Sequence, residues 1–348
     1  MAVYIGVDFH ARQQTISYLT TEDGEIKRTQ LDHSEPHKVR EFYEQFRGQQ
    51  VLVGYEASGY AAWFEELLEE LGYEIWQGHA TVIRQFARRR QKNDRRDADL
   101  ILDLLVRGDF PRIARHSAES RAVLQQLRYR QQLVKIRTMV VNRLVFMGAS
   151  RGLALRGKLK SRQGVARLQQ LALPEPLGQQ RTDLCQLLLE LQVKLKTVEQ
   201  WLEEKAARDQ RVQRLRTQQG IGVLTGLCLV HTLAAVERFD NPRKVAAYVG
   251  FDPVEDSSGE RQRIGAISKQ GSRLLRFLLV EAGQVAVRRD RDLAIVYKRI
   301  WLRRGHAKAK VAVARRLLIR AFIMLRDEID YAEFQRRGVA ARSSRATA

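Results

Sequence analysis

Two apolar runs, VYIGVD at 3–8 and VLVGYE at 51–56, each end on a carboxylate, and this pairing constrains the fold more than any other feature of the chain. Short runs rich in β-branched and aromatic residues read as strands. Asp8 and Glu56 therefore stand at strand ends. Asp94 and Asp97, three apart in KNDRRDAD at 92–99, open a helical pattern and share one helix face. Four carboxylates brought to one point repel one another unless a cation sits between them. Carboxylate oxygens favour the hard cation Mg²⁺, and paired Mg²⁺ ions drive in-line displacement at phosphodiesters. The quartet Asp8, Glu56, Asp94 and Asp97 is thus a candidate metal and catalytic site for phosphodiester chemistry.

The pattern around these residues specifies the order of elements. Strands are expected at 3–8, 13–19, 25–31, 51–55 and 74–78. The second and third form a hairpin around EDG at 22–24. Helices are expected at 36–46, starting near Pro36, at 60–71 and 81–91, and from Asp94 onward. Three antiparallel strands followed by alternating β and α elements is the order of a ribonuclease-H-like α/β sheet. It places Asp8 on the first strand and Glu56 at the end of the fourth.

Charge identifies the partner class. The net charge of +21 is concentrated in two segments: 118–163 nets +10 and 269–320 nets +12, while 1–117 nets −3. Solvated helix faces normally intersperse Glu with their basic residues, but acidic residues are scarce in both segments. Such concentration fits a polyanion, whose condensed counterions are released on contact. No apolar run reaches the roughly 18 residues of a membrane span and no secretory signal opens the chain. The two cysteines, Cys185 and Cys228, lack zinc-site spacing. A cytoplasmic protein (cytosol or nucleoid) with no membrane association is expected.

Beyond residue 116 the chain reads as helical. A long helix is expected at about 117–148 and a second at 180–216. Leu184, Leu188, Leu191, Leu195, Val198 and Leu202 give the second helix the spacing of a coiled-coil seam. The two are expected to pair as an antiparallel hairpin, although an ordinary core helix fits the second almost as well. QGIGVLTG at 219–226 places Gly220 and Gly222 before a helix start, where backbone N–H groups can meet a phosphate; a plain turn is the commoner outcome. A helix follows at 242–249, then a turn-rich loop at 252–260 and basic helices over 269–326. The tail after about 336 is small and polar and is expected to be disordered. The domains read 1–116, 117–216 and 217–330, with the tail at 331–348.

Near the quartet, Arg88, Arg89, Arg90, Lys92, Arg95 and Arg96 read either as local ion-pair partners or as phosphate-gripping residues. Asp99 lies on another helix face and is left outside the site. In the C-terminal half, Ser257 and Ser258 lie among Arg261, Arg263, Lys269, Arg273 and Arg276. Neighbouring cations can activate a serine hydroxyl and stabilise developing phosphoryl charge, yet a serine capping its own loop is the more frequent case.

The ordered set GVDFH, YEASG, KNDRRDAD, GIG, AAYVGFDP, SSG and ISKQGSRLLR, spread over about 3–326, closely resembles the DEDD transposases of the insertion-sequence one-ten family. These are bridge-RNA-guided recombinases with a RuvC-like domain, a coiled coil and a mostly α C-terminal transposase domain. The resemblance implies that Asp8, Glu56, Asp94 and Asp97 hold Mg²⁺ and that Ser258 is the nucleophile forming a phosphoserine link to DNA. Ser257 is an adjacent competitor. Gln219 replaces the family's usual Pro before Gly-Ile-Gly. The implied partners are donor and target DNA, a non-coding guide RNA that reads both by pairing, and further copies of the chain in a tetramer built from dimers. The family's active site is composite, assembled between subunits. From charge, 118–163 is assigned to RNA and 269–320 to DNA.

Three other readings compete. A metal-dependent junction resolvase or nuclease would use the quartet and water without a covalent intermediate. An actin-like ATPase or sugar kinase would need a Gly-rich phosphate loop after the first strand, where this chain has Phe-His-Ala-Arg. A non-catalytic DNA-binding protein would leave the carboxylates without a purpose.

Overall fold

The apolar runs assemble into a six-stranded sheet in a computed structural model that describes residues 2–86, 94–154, 157, 159, 162–255 and 264–346. The chain divides into two compact units, Met1–Arg115 and His116–Ala348.

The first unit begins with an antiparallel meander, β1 (Ala2–Phe9), β2 (Gln13–Thr20) and β3 (Ile26–Asp32), and α1 (Pro36–Glu44) follows. Then come β4 (Gln50–Glu56), α2 (Ala62–Glu70), β5 (Glu74–Gly78), α3 (Ala80–Phe86), α4 (Asp94–Arg107) and the short β6 (Arg112–Ile113). The sheet order is β3-β2-β1-β4-β5-β6, with β1, β4 and β5 parallel and β6 antiparallel to β5. Apart from the added edge strand β6, this is the expected ribonuclease-H-like order. One face of the sheet packs Val3, Ile5, Val7, Val53 and Tyr55 against Val39, Tyr43, Phe64 and Leu68. The other face carries α4, whose Ile101, Leu104 and Leu105 form a smaller core with Ile83 and Phe110.

The second unit is nearly all helix: α5 (Ala118–Ala149), α6 (Arg162–Gln169), α7 (Leu177–Arg208), α8 (Gln210–Arg216), α9 (Val223–Leu233) and α10 (Pro242–Val249). A hairpin of β7 (Pro253–Glu255) and β8 (Ile264–Ile267) leads to α11 (Arg273–Ala286), α12 (Arg291–Arg326) and α13 (Tyr331–Ala346). The two long helices α5 and α7 run antiparallel, with Glu119 paired to Lys205 at 3.5 Å and Arg130 to Glu199 at 2.5 Å. The Leu188–Leu202 seam is buried between them, while Ile136 of α5 is 42% exposed. One continuous core joins these helices to α8–α12 within the second unit.

Three expectations differ from the structure. The helix expected at 180–216 breaks at Asp209, whose backbone is extended and whose carboxylate caps α8 through the Arg211 N–H at 2.9 Å. The loop expected at 252–260 starts as strand β7. The tail from 331 is helical where its composition suggested disorder, because the Asp330 carboxylate accepts from the Glu333 N–H and Tyr331 and Phe334 pack on the core. Both cysteines are buried and unpaired, and burial pushes the Cys228 thiol up to about 12. Among the described residues no helix is long and apolar enough to cross a membrane.

Candidate active site

Parallel register aligns the first two carboxylates. β1 and β4 pair with Gly6 opposite Gly54 and Val7 opposite Tyr55, so Asp8 and Glu56 occupy the next rung. Residues two apart on a strand face the same way. Asp8 therefore shares a face with Gly6, and Glu56 with Gly54, which is the face covered by α4. The two glycines let that helix sit close. A Cβ on Gly6 would lie 2.5 Å from the Leu102 nitrogen and 2.6 Å from the Ala98 oxygen, and one on Gly54 would meet the Leu105 side chain at 2.7 Å. Asp97, next to Ala98, is thereby delivered to the ends of β1 and β4. Asp99 ties the same helix to the sheet, accepting from Ser17 Oγ at 2.6 Å and Arg28 Nε at 2.8 Å.

Asp8, Glu56 and Asp97 line one cleft of about 240 Å³, with His10, Ser58 and Arg84 around them. The cleft lies at the carboxyl ends of parallel strands, where open α/β sheets commonly bind ligands. Asp8 is 9% exposed and meets His10 Nε2 at 3.1 Å; the Arg84 guanidinium meets Glu56 Oε1 at 3.2 Å. Behind Glu56, on the opposite face, the Tyr55 hydroxyl donates to Glu65 at 2.5 Å and Gln77 donates to both. Burial first, then the Glu65 carboxylate, raises the Tyr55 hydroxyl far above its ordinary pKa, so it stays a neutral donor that fixes the end of β4.

The donor set is all carboxylate oxygen, the chemistry that suits a hard divalent cation. Among the described residues, no three His, Cys, Asp or Glu side chains stand at metal-binding distance. The structure thus brings three of the four carboxylates to one cleft without drawing them into a closed cage. Asp94 opens α4, with only its backbone described. Arg96 is exposed on that helix, the side chain of Arg95 lies outside the described residues, and so do Arg88, Arg89, Arg90 and Lys92. Sequence reasoning passed over His10 and Arg84. His10 stands two residues beyond Asp8, a period-2 signal; Arg84 pairs with a residue 28 positions away, and no local spacing reveals that.

Ser257, Ser258, Arg261 and Arg263 lie outside the described residues, between β7 and β8. The frame of that hairpin is described. Ser268 Oγ donates to Asp252 at 2.6 Å, and Arg276 donates to the Val249 carbonyl at the end of α10. Gly250 and Gly271 both have positive φ, and a Cβ on either would strike the backbone of Gln270 or Tyr248 within 2.3 Å. The AAYVGFDP and ISKQGSRLLR segments are therefore two sides of one tight junction. Lys269 and Arg273 are exposed beside it. Gly222 caps α9 without a side chain and is exposed, while Gly220, at positive φ, packs closely against Ala282 and Ala286.

The glycine contact makes a sharp prediction. Gly6→Ala is expected to destabilise the first unit by about 1–3 kcal/mol, because backbone atoms of α4 cannot rotate away. Gly54→Ala meets a flexible leucine instead and should cost less. Urea unfolding of both variants checks this, and equal midpoints would overturn the close-approach argument.

Comparison with known proteins agrees with the geometry. A DEDD transposase model of the IS110 type matches residues 5–146, and a model described as the transposase IS116/IS110/IS902 family matches residues 212–298. The "Probable family 20 transposase" of Pseudomonas aeruginosa is 28% identical over 82% of this chain and 84% of its own length. The "Transposase for insertion sequence element IS1111A" of Coxiella burnetii is 28% identical over 64% of each chain. The IS1328 transposase of Yersinia enterocolitica is 26% identical over 68% of this chain and 71% of its own.

Proposed function

This chain belongs to the DEDD transposases of the IS116/IS110/IS902 family, and we propose that it moves an insertion sequence by an RNA-guided reaction using both an acidic quartet and a serine. Membership carries the coarser statements: it is a DNA transposase of an insertion sequence, with the divalent-metal dependence of DEDD domains. The observation that supports the acidic-site part of this reading is the convergence of Asp8, Glu56 and Asp97 on one cleft; the serine and the guide RNA rest on the family resemblance.

In this reading Asp8, Glu56, Asp94 and Asp97 hold Mg²⁺. A divalent cation held there would supply Lewis-acid stabilisation of a phosphoryl oxygen. Arg84, at the cleft, is placed to grip the neighbouring phosphate. Ser258 Oγ attacks phosphorus and loses its proton, the phosphorus–sugar oxygen bond breaks, and the departing oxygen takes up a proton. The phosphoserine ester conserves the bond energy for rejoining. Guide RNA binds the basic face of α5, where Arg128, Lys135 and Arg143 are exposed, and DNA lies nearer α11 and α12. The α5–α7 pair is read as a coiled coil, and the working assembly as a tetramer.

The test is a denaturing-gel assay for a protein–DNA adduct, with Mg²⁺, DNA spanning the element junction and RNA from its non-coding flank. The expected adduct persists in Ser257→Ala, disappears in Ser258→Ala and disappears when RNA is omitted. Cleavage that continues in Ser258→Ala without an adduct would reduce the protein to a metal-dependent nuclease.

A further inference from the structure

A break in α12 builds an aromatic shelf that no regular helix can make. Gly305 has φ 80° and ψ 168°, a conformation essentially confined to glycine. On either side of it, His306 stacks on Trp301 with ring centroids 4.6 Å apart, and the Tyr297 hydroxyl meets His306 Nδ1 at 2.7 Å. In a continuous helix, residues five apart point about 140° away from each other, and residues nine apart are separated by about 13.5 Å along the axis. Neither contact survives straightening, so the glycine folds His306 back onto the ring of Trp301.

The surroundings of this shelf are exposed and of one charge. Every residue from Trp301 to Lys308 is exposed, Trp301 by 41% and Leu302 by 72%. From Lys298 to Lys310 the chain carries six basic residues and no acidic one. A water-exposed tryptophan whose second face is backed by histidine, set among cations, is the pattern that receives an unpaired base: the ring stacks on the base and the cations follow its phosphates.

We propose that Tyr297, Trp301 and His306 form a stacking platform for an unpaired DNA base, with Arg303, Arg304 and Lys308 holding the adjoining phosphates. The assignment rests on the reading of the chain as a DNA transposase, since strand exchange requires bases that leave the duplex. It adds a defined contact within a region otherwise characterised by charge alone. Charge complementarity favours DNA over a second copy of this chain, because the copy would bring the same six cations.

The experiment uses the full chain and three fluorescein-labelled probes: a 15-nucleotide oligo-dT, a hairpin duplex and a 15-nucleotide oligo-rU. Trp301→Leu is expected to weaken oligo-dT binding about tenfold, the scale of one stacked base, and to change duplex binding much less. Oligo-dT should quench tryptophan emission in the wild type, and that component should vanish in Trp301→Phe. Gly305→Ala keeps the indole but straightens the helix, so it should lose affinity as Trp301→Leu does, with helical circular dichroism retained. Arg303→Gln with Arg304→Gln should weaken both DNA probes and reduce the salt slope by about 2.

Oligo-dT affinity of Trp301→Leu within twofold of wild type would overturn the platform. So would quenching that survives in Trp301→Phe, a Trp301-dependent preference for oligo-rU, or dissociation of an oligomer by Trp301→Leu with DNA affinity intact. Those results leave the transposase reading standing. Absence of DNA binding by the wild type would remove both.

Discussion

Replacing Asp8 with Asn is expected to lower metal-dependent DNA cleavage by about a thousandfold or more, with the fold intact. The side chain is nearly buried at the end of β1 and faces a cleft shared with Glu56 and Asp97. Asparagine keeps the shape and the ability to accept from His10, but it removes an anionic oxygen. A site with one fewer negative charge binds a divalent cation more weakly, and several kcal/mol of transition-state stabilisation go with it. Folding stability should scarcely move, because lost attraction to His10 is offset by relieved repulsion among carboxylates. The paired measurements are strand cleavage and Mn²⁺ binding, each against the Tm. Cleavage within tenfold of wild type would remove Asp8 from the site. Lost cleavage with a Tm drop of more than about 5 °C would instead mark the residue as structural.

The largest stability effect is expected at Asp290. Its side chain is 3% exposed and that of Arg320 10%, and the two meet at 2.5 Å. The Tyr331 hydroxyl donates to the same carboxylate oxygen, and the Leu293 N–H donates to the other at 3.0 Å, capping α12. Three parts of the fold thus meet in one cluster: the α11–α12 turn that caps α12, the body of α12 and the start of α13. Asp290→Ala leaves the buried Arg320 guanidinium only the more exposed Asp292 carboxylate, at 3.7 Å, so a loss of about 3 kcal/mol, the low end for a broken buried pair, is expected. Asp290→Asn retains the cap and should lose less. Asp290→Asn combined with Arg320→Met removes both charges and should recover much of the difference.

The pH dependence has a definite sign. Burial alone would raise the Asp290 carboxyl; the Tyr331 hydroxyl, the Leu293 N–H and the Arg320 guanidinium outweigh it and hold it below the ordinary value. A depressed carboxyl contributes stability that is present above the unfolded pKa of about 3.9 and is lost as pH falls through the folded pKa. Urea midpoints of wild type and Asp290→Asn should therefore converge on acidification below about pH 4. A gap that stays constant down to pH 2 would exclude the carboxylate charge as its source.

The α/β order of the first unit was legible because its signals are local. VYIGVD and VLVGYE have strand composition, each ends on an acid that lines the cleft, and Asp94 and Asp97 sit at helical spacing. The antiparallel pairing of α5 and α7 was legible from the leucine seam in the same way. Less visible were Arg84, the strand start at Pro253, the break at Asp209 and the helical tail. Each depends on a cap or on a partner far along the chain, where composition and period carry no information.

The sequence by itself determined which residues carry charge, where most strands and helices of the first unit lie, and that Asp8 and Glu56 end strands while Asp94 and Asp97 open a helix. Periodicity and apolar runs are properties of neighbours in the chain, so a linear reading captures them. Tertiary structure alone decided that Gly6 and Gly54 fall at one register and admit α4, which brings Asp97 beside Asp8 and Glu56. It likewise decided that Asp290 meets Arg320 and Tyr331 across 30 and 41 residues, and that Gly305 folds His306 onto Trp301. Those outcomes arise from close packing, in which one missing Cβ or one buried charge sets the position of a whole helix.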